Sequence, residues 1–90
     1  MLFMVIEQFK NRDPLPVYRR FREKGRMMPD DLKYVDSWVD LDYSRCFQLM
    51  ETDQPDLFKE WIAAWDDLTD FEVVPVMQSK EAAATIAPRL

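Results

Sequence analysis

Two carboxylates, Glu7 and Asp36, are the candidates for acid–base chemistry in this chain. Its 90 residues contain no histidine, which removes the usual general base near neutral pH and the commonest transition-metal ligand together. Serine–histidine triads, cysteine–histidine pairs, histidine-ligated haem and ordinary zinc sites are excluded, and no cofactor is expected. The single cysteine, Cys46, lies in an apolar-alternating stretch and reads as a small buried hydrophobe rather than a reactive thiol. Asp40 and Asp42 sit two apart in a turn, and Asp30-Asp31 and Asp66-Asp67 are neighbours, but none forms a calcium loop. Such acids usually solvate turns, so no metal is expected. Glu7 and Asp36 remain, each set within an otherwise apolar strand pattern. A carboxyl enclosed without a partner has its pKa raised and becomes a proton donor or acceptor. The plainer alternative is that they lie at a mouth, solvated or paired with arginine.

The elements that position these acids follow from the hydrophobic pattern. Leu2 to Phe9 is short and apolar on both faces, which favours a central strand. Asp13-Pro14 starts a helix, with Val17, Tyr18 and Phe21 inward, that stops at Gly25, the only glycine. Tyr34 to Val39 and Ser44 to Thr52 are rich in β-branched and aromatic types and form a hairpin about Leu41-Asp42-Tyr43. After Pro55, Leu57, Phe58, Trp61, Ile62, Trp65 and Leu68 recur every three or four residues, the strongest helical stripe in the chain. Phe71 to Met77 is a last strand, placed at an edge because Pro75 cannot donate to a central ladder. A short alanine-rich helix, capped by Ser79, closes before Pro88.

The order β-α-β-β-α-β predicts one ferredoxin-like α+β domain over residues 1–90, with strands one and three central and both helices on one face of a four-stranded antiparallel sheet. The helix-facing side is expected to hold Leu2, Met4, Ile6, Val35, Val39, Phe47 and Leu49. The opposite side then shows Phe3, Val5 and Glu7, with Tyr34, Asp36, Trp38, Cys46, Gln48 and Met50. Phe3, Tyr34 and Trp38 alone, at roughly 150–250 Å² each, exceed the apolar patch usual on a monomer. A second copy is the economical cover, giving a homodimeric α+β barrel whose two sheets enclose a shared interior. In that arrangement Glu7, Tyr34, Asp36, Trp38, Gln48 and Met50 would line a ligand pocket of mixed character.

The opening MLFMVIEQF, the central SWVDLDYSRCFQLMETD and the closing FEVVPV resemble a family of short bacterial proteins catalogued as a domain of unknown function, over nearly the whole chain. More distantly, the layout resembles the dimeric α+β barrel superfamily, in several branches of which a histidine serves chemistry or haem binding. That histidine has no counterpart here.

Net charge is −5, with basic groups concentrated before residue 34 and acidic ones after it. The first helix is read as a solvated basic face. The third strand lacks the glycine and paired aromatics of an RNA-recognition motif, and the charge repels phosphate, so no nucleic-acid partner is expected. The apolar start lacks a basic leader and is cut by Glu7, and no run of about 20 apolar residues exists, so a cytoplasmic protein without membrane contact is expected. Three functional readings follow: a homodimer binding a small apolar or aromatic molecule between its sheets, a cofactor-independent enzyme using Glu7 or Asp36 as acid/base, or a protein-interaction subunit with a filled interior.

Overall fold

The computed structural model describes residues 1–90. It contains β1 (Leu2–Phe9), α1 (Leu15–Lys24), β2 (Lys33–Val39), β3 (Arg45–Glu51), α2 (Leu57–Ala63), β4 (Thr69–Val76) and α3 (Ser79–Ile86), with short 3-10 turns at Lys10–Arg12 and Ala87–Arg89. The strands form one antiparallel sheet in the order β2-β3-β1-β4. This is the expected ferredoxin-like α+β arrangement, with β1 and β3 central and Pro75 on an edge strand. No helix is long and apolar enough to cross a membrane.

Local chemistry accounts for the element ends. The Asp13 carboxylate accepts from the Leu15 backbone N–H at 3.1 Å, closing the start of α1. Gly25, at φ 68°, donates its N–H to the Phe21 carbonyl at 2.8 Å and ends it. In the β2–β3 hairpin, Tyr43 takes a left-handed φ of 60° where glycine is usual. Side chains hold that turn: Asp42 accepts from the Ser44 backbone N–H and hydroxyl, and Asp40 accepts from the Arg45 guanidinium at 2.9 Å. Asn11, Arg12, Met27 and Asp31 are also left-handed. α2 is shorter than its stripe predicts, because the chain tightens into successive turns after Ala63, through Trp65 N–H to Ile62 O and Leu68 N–H to Trp65 O. α3 is found where expected, although Gln78 rather than Ser79 is its N-cap and no side chain caps it.

On β1 and β3 the two faces of the sheet are the reverse of the expectation, whereas Asp36, Trp38 and Val39 of β2 lie on the sides expected for them. Phe3, Val5, Glu7 and Phe9 of β1 are buried, and their neighbours Gln48 and Met50 of β3 are buried beside them. Phe3, Val5 and Met50 join Leu32, Phe58, Trp61 and Trp65 in one core, with Val17, Phe71 and Val73 packed against it. Phe58 meets the Phe3 ring edge-on at 5.0 Å, and Trp61 meets Phe71 at 5.5 Å. Leu2, Met4, Ile6, Phe47 and Leu49, expected against the helices, lie on the open side, together with Val74 and Val76. The physical reason is that both alternations of β1 are apolar, so its period of two places residues in two sets without saying which set is covered.

A β-bulge between Tyr34 and Asp36 adds a second correction. Tyr34 lies opposite Met50 on the helix side, whereas Asp36 opposes Leu49 and Trp38 opposes Phe47 on the open side. One extra residue, Val35, interrupts the alternation and re-aims everything after it, which also returns Val39 to the helix side.

Candidate functional site

Between α1 and the sheet lies a cleft of about 150 Å³ lined by 12 residues, 8 of them hydrophobic. Its floor is the strands, through Glu7 and Phe9 of β1, Cys46 and Gln48 of β3, and Ser37 and Val39 of β2. Trp61 and Trp65 form one wall. Val17, Tyr18 and Phe21 of α1 form the roof, with Arg26 beyond the helix end. α1 contributes no fully buried residue, and Tyr18 and Phe21 are 43% and 40% exposed. The helix is instead tethered at one side: Arg20 makes a two-pronged ion pair with Asp67, both contacts at 2.7 Å, and donates to the Ala64 carbonyl at 3.0 Å. A loosely seated amphipathic helix over a sheet leaves space, and here the space opens over an acid.

That acid is Glu7, 8% exposed. Burial pushes its carboxyl up from 4.5 to about 7, against the Cys46 thiol and the Arg26 guanidinium, which favour the charged form. Cys46 is pushed up to about 12, by burial first and then by the neighbouring Glu7. It therefore stays a thiol, in keeping with its reading as a small apolar side chain. Tyr18 is also raised, chiefly by burial. Glu7 is thus the one group in the cleft whose burial sets its titration near neutrality.

Of the residues expected at a ligand site, Glu7 and Gln48 line this cleft. Met50 is fully buried in the core, with its sulfur accepting from the Gln48 amide at 3.1 Å. Tyr34 lies on the same side and hydrogen-bonds the Ser37 hydroxyl at 2.7 Å. Asp36 and Trp38 are exposed on the opposite face, so the structure separates the two candidate acids instead of bringing them together. Sequence reasoning missed Arg26, which lies in an irregular loop with no periodicity to mark it. The available signal was the mixed loop Gly25-Arg26-Met27-Met28-Pro29, one cation among otherwise uncharged residues.

A family profile matches residues 1–90, that of the domain of unknown function DUF3303. The chain belongs to the DUF3303 family. Neither a curated protein nor a solved structure matches it significantly.

The buried acid gives a signed expectation for stability. Folded Glu7 holds its proton more tightly than unfolded Glu7, so its contribution is complete below pH 4.5 and is lost as pH rises to about 7. The loss amounts to about 3 kcal/mol. Glu7→Gln removes this dependence. Urea midpoints measured from pH 4.5 to 7.5 should fall in the wild type relative to that variant, and parallel curves would show that Glu7 is not buried as an acid.

Proposed function

We propose that this DUF3303 domain is a cytoplasmic homodimer that binds a small, largely apolar molecule in the cleft between α1 and the sheet of each protomer. The observation that carries the reading is Glu7, a nearly buried carboxyl at the floor of an otherwise mainly hydrophobic recess. Its protein partners are weak ones, a hydrogen bond with the Cys46 thiol and the more distant charge of Arg26. A buried acid so thinly partnered costs stability, which fits a role toward a molecule that adds a stronger partner. The ligand place so assigned differs from the space between two sheets expected from sequence, because the face bearing Glu7 is the one the helices cover.

The dimer is supported by the open side of the sheet. Leu2, Met4, Ile6, Phe47, Leu49, Val74 and Val76 run across three strands, and Trp38 on the fourth is 52% exposed. A contiguous apolar surface of this kind marks an association site. Charged groups of both signs, Arg45 and Lys33 against Glu51, Asp70 and Glu72, border it, as a self-complementary contact requires. An acid titrating near pH 7 also favours a second reading, that Glu7 transfers a proton to or from the bound molecule. Asp36, on the other face, takes no part in it.

Thermal-shift screening against small aromatic and aliphatic compounds tests the cleft. Stabilising compounds should lose their effect in Val17→Phe, which fills the roof of the cleft from a half-buried position. Compounds that stabilise the filled variant as well as the wild type would place binding elsewhere and end this reading.

A further inference from the structure

We propose that the cleft selects a small aromatic carboxylate, with Arg26 gripping the anionic group beside the buried Glu7 carboxyl. The inference rests on the cleft reading above and names the chemical class it would accept. Arg26 is half-buried at the cleft, with its guanidinium 3.7 Å from the centre of the Tyr34 ring and 4.9 Å from that of Phe21. Stacking on aromatic faces leaves the in-plane N–H groups free, and those are the donors that match a carboxylate two at a time. None of the five ion pairs in the protein involves Arg26, and its side chain makes no hydrogen bond. The only other charged group in the cleft, Glu7, makes no ion pair with it within 4 Å.

Its backbone, by contrast, is held firmly. The indole N–H groups of Trp61 and Trp65 both donate to the Arg26 carbonyl, at 3.0 and 2.9 Å. Two buried rings thus fix the root of a side chain whose head has no protein acceptor, an arrangement that lowers the ordering cost of gripping a ligand. The recess beside it has aromatic walls, and an apolar cavity of about 150 Å³ admits one benzene ring.

Dependence on pH follows from the groups facing Glu7. These are Cys46 from β3, Arg26 from the segment after α1 and, more remotely, Tyr18 from α1. β4 presents Phe71 opposite Glu7, without charge, and Asp40, the next acid, is tied to Arg45. Burial keeps the thiol and the phenol neutral through this range, so Glu7 alone changes charge. Once ionised, it cancels the cleft's single positive charge and repels a second carboxylate.

The test is calorimetric and NMR titration with benzoate and with uncharged benzamide, at pH 6 and pH 8. Benzoate should bind about tenfold more tightly at pH 6, following the fraction of neutral Glu7. Benzamide should bind more weakly, with little pH dependence. Arg26→Met should weaken benzoate at least tenfold, Arg26→Lys should weaken it less, and Glu7→Gln should bind it equally at both pH values. Benzamide binding as tightly as benzoate, with shifts at Val17, Ser37 and Cys46, would overturn the anion preference and leave the cleft reading standing. Benzoate binding unchanged by Arg26→Met would likewise overturn it. Absence of shifts at those three residues with either compound would overturn both.

Discussion

Trp61→Ala is expected to remove about 3–5 kcal/mol of folding stability, because a large buried ring leaves a packed core that collapses only partly to fill the space. Trp61 is 2% exposed and lies within ring-contact distance of both Phe58 and Phe71, so it joins α2 to β4 directly. For a domain of this size the loss is a large part of the ~5–15 kcal/mol that separates folded from unfolded chains. Trp61→Phe separates the ring from its N–H. The Arg26 carbonyl keeps the Trp65 donor, so no acceptor is orphaned and the cost should be only about 1–2 kcal/mol. Urea denaturation followed by far-ultraviolet circular dichroism reads both. A Trp61→Ala midpoint close to wild type would mean that α2 does not anchor this interior.

Trp38→Asp should convert the proposed dimer to monomer in light scattering at micromolar concentration. By two-fold symmetry each interface receives two new carboxylates, and an unpaired charge removed from water costs several kcal/mol. In the isolated protomer the side chain is already more than half exposed, so its fold should survive, and an unchanged circular dichroism spectrum checks that. Trp38→Phe keeps an apolar ring and should remain dimeric. A folded Trp38→Asp protein that still runs as a dimer would show that association uses some surface other than the open sheet face.

Much of the architecture is legible in the amino-acid sequence. The ends of α1 rest on residues with a specific backbone role, Asp13 and Gly25, Pro75 marks an edge strand, and the strand order follows from the alternation of elements. The covered face was not readable, because the set Phe3-Val5 and the set Leu2-Met4-Ile6 are equally apolar and only tertiary packing chooses between them. Nor was the bulge at Val35, which carries no glycine or proline to announce it and which sends Tyr34 and Trp38 to opposite faces. The site was half legible. Glu7 stands out as an acid in a greasy strand, but its companion Arg26 is placed by the two tryptophans that hold its carbonyl, a contact made across more than thirty positions of chain. Asp36 has the same local signature as Glu7 and faces the other way, so the pattern alone does not distinguish them.

Five residues with side chains sit in left-handed turns that glycine would occupy with less steric opposition. Three of them, Arg12, Met27 and Tyr43, lack the short polar side chain that eases such a conformation, and each contributes a local penalty on the order of 1 kcal/mol that the rest of the molecule must outweigh. Glycine at those bends would relieve the strain without touching the interior, so they are places where heat tolerance can be raised.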